Sequence, residues 1–207
     1  MTLRLSPTHA ARLRGAIPHV DLDSARFLGA GWHVLAYRAG SWTIRIPRVE
    51  RGRELIDRQT RLYRVLSANG LPVPRDARVA RGDAGAVVAG LYRYIAGEPA
   101  APRSLGATLA RELGAFLTSL HTLSTDLLRS ICGVEADPWG GHYEPAFLRC
   151  RPFLPPEFRE WLDASVAAYL EARAGLDAGC LVLVHADLSG EHILVDGEGH
   201  QIGRAHV

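Results

Sequence analysis

The chain has 207 residues, 47% of them hydrophobic and 22% charged, which is typical of a folded protein with one large or two small domains. Its net charge of +2 is spread without basic blocks, so there is no electrostatic signature of nucleic-acid binding. All 24 basic residues are arginines, which excludes a P-loop nucleotide-binding motif because that motif requires a lysine.

The apolar stretches are far shorter than the roughly 20 residues of a membrane-spanning helix, and the first residues lack the apolar core of a signal peptide. We therefore expect a cytoplasmic protein without a membrane partner. Cys132, Cys150 and Cys180 are widely spaced and form no Cys-x-x-Cys pair, so they indicate neither disulfides nor a zinc site. No pattern indicates an oligomeric state.

The first half of the chain reads as a β-rich unit with one long helix. Ser6 and Pro7 suit the start of a short helix that runs to about Leu13. Apolar residues at helical spacing between Leu55 and Leu66 predict an amphipathic helix. Strands are predicted near residues 27–28, 34–37, 42–46, 78–79 and 86–92.

The second half reads as α-rich. Helical apolar faces run over residues 105–120 and 158–170, and the proline- and glycine-rich segment 132–156 between them predicts an irregular loop. This order of parts is typical of an α+β, bilobal, protein-kinase-like fold. We expect an N-terminal nucleotide-binding lobe over residues 1–95 and a catalytic, α-rich lobe over residues 96–201.

A polar segment lies between two apolar, strand-like runs near the end of the chain, with His185, Asp187, Ser189 and His192 in sequence. Phosphoryl transfer requires a carboxylate that accepts the proton of the attacking hydroxyl, and a ligand for the magnesium ion that neutralises the phosphates. Asp187 and His192 suit these two tasks. The same residues also suit a polar loop without catalysis, or a catalytic zinc site with His200 as a third nitrogen donor.

This segment resembles the catalytic signature of the aminoglycoside phosphotransferase family, in the His-x-Asp-x4-His form found in its 2''-aminoglycoside and macrolide branches. The resemblance implies that Asp187 is the catalytic base, that His192 binds Mg2+, and that Ser189 lies near the transferred phosphate. It implies that His185 orders the loop. ATP or GTP would be the phosphate donor, and the acceptor would be a hydroxyl of a small molecule, above all an antibiotic whose modification confers resistance.

The first half resembles the same family. Gly29 and Gly31 resemble the nucleotide-covering loop, and Arg45 takes the position of the cation that binds the nucleotide phosphates. Gln59 aligns with the glutamate that holds this cation in kinases, but it supplies no charge. Glu54 lies more than one turn earlier and would replace it only after a shift of the helix.

Tyr92 and Tyr94 fall in the segment that resembles the linker between lobes, whose backbone would bind the purine edge. The side chains of this segment do not indicate whether the nucleotide is ATP or GTP. Two further functions stay open: a metabolic kinase for a sugar, amino alcohol or homoserine-like acceptor, and a nucleotide-binding protein without catalysis.

The family's second acidic metal ligand follows the catalytic loop, but residues 201–207 contain no aspartate. Residues 202–207 resemble a translated sequencing adapter and are expected to be a non-native tail. The resemblance thus implies an incomplete catalytic lobe, half of a magnesium site and a chain that is nearly inactive by itself.

Overall fold

The computed structural model describes residues 5–100, 106–132, 144–175, 182–184, 188–197 and 201–204. The helices of this part are α1 (Pro7–Ala16), α2 (Glu50–Ala68), α3 (Ala107–His121), α4 (Thr125–Cys132), α5 (Glu144–Cys150) and α6 (Pro156–Ala174). The strands are β1 (Arg26–Ala30), β2 (Val34–Ala39), β3 (Trp42–Pro47), β4 (Arg78–Arg81), β5 (Val87–Arg93), β6 (Glu98–Pro99), β7 (Ile193–Val195) and β8 (Gln201–Arg204).

The first half forms a five-stranded antiparallel sheet in the order β1-β2-β3-β5-β4. Side chains alternate between its two faces, as the period of a strand requires. Ile44 and Ile46 of β3 lie on the face that packs against Leu13 of α1, whereas Arg45 lies on the face that meets α2. The sheet between two helices confirms the predicted β-rich lobe.

Both helices of this lobe were predicted. In α1, Pro7 occupies the first position and the backbone N–H of His9 donates to Ser6 Oγ at 3.3 Å, which confirms the expected cap. Helix α2 begins at Glu50, more than one helical turn before Leu55, where the apolar periodicity that predicts the helix starts. No side chain caps its start at Val49, so the sequence carries no signal there.

The second half is α-rich, but the segment predicted as an irregular loop is partly helical. Helix α5 and a 3-10 helix at Arg151–Phe153 lie within it, and residues 133–143 fall outside the described part. The prediction was wrong over residues 144–150. Pro145 sits in the first turn of α5, where its missing N–H leaves no intrahelical hydrogen bond unmade.

A second sheet, in the order β6-β7-β8, joins the segment after the first lobe to the end of the chain. Strand β6 pairs with β7, and Gly203 and Arg204, expected as part of a non-native tail, pair with β7 inside β8. The predicted boundary at residues 95 and 96 falls between β5 and β6. None of the helices in the described part has the length and apolar character needed to cross a membrane.

Candidate active site

Arg45 lies at the centre of the sheet face that meets α2. Its neighbours across the sheet are Ala36 on β2 and Gly90 on β5. A Cβ at Gly90 would lie 2.5 Å from Tyr92 Oη and 2.9 Å from Ile56 Cγ2. The two positions that flank Arg45 across the sheet therefore need small residues. The side chains that pack beneath α2 fill the space around the aliphatic part of the Arg45 side chain.

Gln59 of α2 holds the guanidinium. Arg45 Nη1 donates to Gln59 Oε1 at 2.6 Å, and Gln59 Nε2 donates to Tyr63 Oη at 3.0 Å. The structure thus brings together the two residues that sequence reasoning aligned with the kinase cation and its partner. Glu54 does not replace Gln59, because its carboxylate accepts a hydrogen bond from Arg51 at 2.8 Å.

Arg45 also has an N–H donor for which the described residues provide no acceptor. Its Nε is buried and has no hydrogen-bond partner within the described residues. A buried donor without an acceptor is unfavourable by about 1–3 kcal/mol, and a bound water, an ion or a catalytic role is the usual reason for such a group. A guanidinium with one N–H group bound by the protein and other N–H groups available can donate hydrogen bonds to the oxygens of a phosphate group.

The loop between β1 and β2, which contains Gly31, is fixed to the elements that carry Arg45 and Gln59. Arg48 Nη1 donates to the carbonyl of Gly31 at 3.0 Å, and the backbone N–H of Arg48 donates to the carbonyl of His33 at 2.9 Å. A Cβ at Gly52 in the first turn of α2 would lie 2.3 Å from that same carbonyl oxygen. The loop, the end of β3 and the start of α2 are therefore one packed unit.

Gly29 lies at the end of a register shift in the pairing of β1 with β2, opposite Ala36. The shift bends the edge strand just before the loop. Trp32 at the tip of the loop is 92% exposed.

The two tyrosines of the linker have different environments. The Tyr92 side chain is buried and its hydroxyl shares a hydrogen bond with Thr60 Oγ1 at 3.1 Å, while burial raises the pKa of Tyr92 to about 12. Its phenol is therefore a neutral core group. The ring of Tyr94 lies 4.1 Å from the Arg38 guanidinium, and its backbone N–H donates to Ser41 at 2.9 Å.

The catalytic loop is described only in its second part, and His185 and Asp187 lie outside the described residues. Ser189 is exposed at the start of a 3-10 turn, Gly190–His192, which is closed by the bond from the His192 N–H to the Ser189 carbonyl at 3.0 Å. His192 is partly buried. Among the described residues there is no cluster of three or more His, Cys, Asp or Glu side chains.

Gly190 fixes the position of this turn. A Cβ there would lie 2.6 Å from the carbonyl oxygen of Ala100, whose own N–H donates to Ile193 at 2.8 Å. The loop after Asp187 is thus held against the segment that follows the first lobe. Sequence reasoning gave no role to Gly190 or Tyr63, since one reads as a turn residue and the other as an apolar helix position.

Several solved structures share this fold. The GDP and kanamycin complex of an APH(2") enzyme is 18% identical, with a TM-score of 0.75 over 96% of this chain and 71% of that chain. The streptomycin–ATP–APH(2")-IIa ternary complex is also 18% identical, with a TM-score of 0.71 over 98% and 70%. The macrolide 2'-phosphotransferase MphH from Brachybacterium faecium is 22% identical, with a TM-score of 0.66 over 94% and 70%.

No curated protein sequence matches the chain. The family model described as "Phosphotransferase enzyme family" (APH) matches residues 24–203, which include the five-stranded sheet, Arg45, Gln59 and the segment from His185 to His192. The resemblance seen in the sequence is therefore confirmed, and the chain belongs to the phosphotransferase enzyme family of aminoglycoside and macrolide phosphotransferases, with their kinase-like fold.

Proposed function

We propose that this protein transfers the γ-phosphate of ATP or GTP to a hydroxyl group of an aminoglycoside or macrolide antibiotic. The observation that carries the proposal is the Arg45 side chain, which is held by Gln59 and has a buried Nε donor without an acceptor among the described residues. The structural relatives support the antibiotic class: one was solved with kanamycin, one with streptomycin, and one is a macrolide 2'-phosphotransferase.

The donor nucleotide is supported in the same way. One relative was solved with GDP and another with ATP, which supports either ATP or GTP as the phosphate donor. Arg45 would bind the phosphates, and backbone groups around Tyr92 and Tyr94 would meet the base. Since the Tyr92 phenol is a core group, only its backbone is proposed for this contact. Because nucleoside triphosphates are kept in the cytoplasm, we expect the reaction to take place there.

In the catalytic loop, we assign Asp187 as the base that accepts the proton of the acceptor hydroxyl, His185 as the residue that orders the loop and Ser189 as a neighbour of the transferred phosphate. Bound Mg2+ would neutralise the phosphates, with Asp187 and His192 near it. The Asp187 carboxylate has the oxygen donors that Mg2+ prefers, whereas the nitrogen donor of His192 departs from that preference.

The test is a phosphotransfer assay with labelled ATP and GTP, in which aminoglycosides, macrolides, sugars, amino alcohols and homoserine are the acceptors. We expect Mg2+-dependent labelling of an antibiotic, and a decrease of roughly 100-fold or more in the Asp187→Asn variant.

Labelling only of sugars, amino alcohols or homoserine would refute the antibiotic class and leave a metabolic kinase. Nucleotide binding without transfer to any acceptor would refute catalysis. Transfer that persists unchanged in Asp187→Asn would remove the proposed base.

A further inference from the structure

Arg45 is held by a series of hydrogen bonds to neutral acceptors that continues into the lobe. A guanidinium has donors only, so the Gln59 group that faces it must be the amide oxygen. The amide nitrogen then points the other way, toward Tyr63, where it donates to the phenol oxygen at 3.0 Å. The orientation of Gln59 is therefore determined from both sides, by Arg45 and by Tyr63.

The far end of this series of hydrogen bonds is rigid. The Tyr63 side chain is only 5% exposed, and its ring packs edge-to-face on the buried Tyr92 with centroids 5.3 Å apart. Tyr92 in turn is bonded to Thr60, one residue after Gln59 on α2. An aromatic ring fixed in this way offers a hydroxyl at a constant position, whereas a free glutamine on a helix would sample several rotamers.

The charge of this arrangement differs from that of an ion pair. Gln59 and Tyr63 are both neutral acceptors, so Arg45 keeps its full positive charge toward an incoming anion. A carboxylate at position 59 would hold the guanidinium by charge-assisted hydrogen bonds and would cancel part of its positive field. A neutral holder has less attraction for Arg45 and depends more on being oriented by a third group.

We infer that Tyr63 is a positioning residue, which fixes the Gln59 amide so that Arg45 presents its remaining donors to the phosphates of the donor nucleotide. The inference rests on the proposed function only for the identity of the anion. Tyr63 does not touch the nucleotide, and its effect passes through Gln59 and Arg45.

The experiment measures binding of three probes to the 207-residue chain: the magnesium complex of inorganic tripolyphosphate, the magnesium complexes of ATP and GTP, and the nucleosides adenosine and guanosine. Tyr63→Phe removes only the hydroxyl. Because one neutral hydrogen bond is lost, we expect tripolyphosphate and the nucleotides to bind about fivefold to tenfold more weakly, with nucleoside binding and the unfolding temperature unchanged.

Two variants separate positioning from a general loss of structure. Gln59→Leu breaks the series of hydrogen bonds from Arg45 to Tyr63 at its centre. Adding Tyr63→Phe to Gln59→Leu should weaken tripolyphosphate binding no further, because the two residues act in series. Tyr37→Phe is the matched control, since it removes the hydroxyl of another buried tyrosine, which packs with Leu13 and Ile44 on the opposite face of the sheet from Arg45. It should leave binding of all three probes unchanged.

Equal weakening of nucleoside and tripolyphosphate binding by Tyr63→Phe, additive losses in the double variant, or a wild-type chain that does not bind tripolyphosphate would each overturn the inference. Tyr63-dependent binding of tripolyphosphate in a protein that transfers no phosphate to any acceptor would support the inference while the proposed function fails.

Discussion

Helices α2 and α6 have the same length, 19 residues, and opposite environments. Helix α2 buries five residues against the sheet, whereas none of the α6 residues is buried and Trp161 is 66% exposed. In the described part of the chain, α6 is held by polar contacts such as the pair of Arg151 with Asp163. A helix packed on a sheet can keep Gln59 in register with Arg45.

The largest expected effect comes from the first turn of α2. Gly52→Ala would place a Cβ 2.3 Å from the backbone oxygen of His33, and neither backbone can yield without moving the helix or the loop. We expect a loss of about 3–5 kcal/mol in the free energy of unfolding, the range of severe steric changes. Urea unfolding followed by circular dichroism measures it.

Gly114→Ala is the matched control, because the Cβ at this position in α3 would meet nothing within 4 Å. There the change should stabilise the fold by about 1 kcal/mol, the helix propensity difference of the two residues. If both substitutions changed stability in the same direction, the close packing of α2 on the loop would be wrong.

The next effect compares the two helix faces directly. Ile56 is fully buried in α2, so Ile56→Ala should destabilise the fold by about 2–5 kcal/mol through lost burial and a cavity. Trp161→Ala removes a larger side chain from α6 but should change the unfolding free energy by less than about 0.5 kcal/mol, as for other surface sites. A larger loss for Trp161 than for Ile56 would show that the α6 face is packed in solution.

The same contrast explains what the sequence could predict. Alternation in β2 and β3 and the 3.6-residue period in α2 and α6 are local patterns, and all four elements lie close to the predicted ranges. Such a pattern tells which face of a helix is apolar, but not what covers it. The pattern is clearer in α2 than in α6, and of these two helices only α2 packs on a sheet in the described part of the chain.

For the site, the alignment of Arg45 with Gln59 could be predicted because both residues follow from the order of strand and helix. Tyr63 could not, since its hydroxyl acts on a residue one turn away while its ring reads as a core position. Gly52 and Gly190 could not be found either, because their need for a missing side chain arises from backbone that approaches from distant parts of the chain.

The smallest expected effect is the acid sensitivity of two ion pairs, one in each half. Hydrogen bonding to Arg93 lowers the pKa of Asp76, and hydrogen bonding to Arg151 lowers the pKa of Asp163. A carboxyl whose pKa is lowered on folding stabilises the fold above its unfolded value, about 3.9, and this stabilisation is lost as the pH falls through the folded value. Both pairs are nearly half exposed, so solvent screens them and the effect is small.

Tryptophans report the two halves separately when they carry a fluorine label, because Trp42 packs 4.4 Å from the Arg93 guanidinium and Trp161 lies in α6. Asp76→Asn suits this test, since asparagine tolerates the positive φ of 52° at that position. Between about pH 6 and pH 3 we expect it to reduce the pH dependence of the Trp42 signal alone, and Asp163→Asn that of the Trp161 signal alone. Because α6 has no buried residue behind its ion pair, the Trp161 signal should change over a wider pH range than the Trp42 signal. Equal changes at both tryptophans would show that the two halves unfold as one unit.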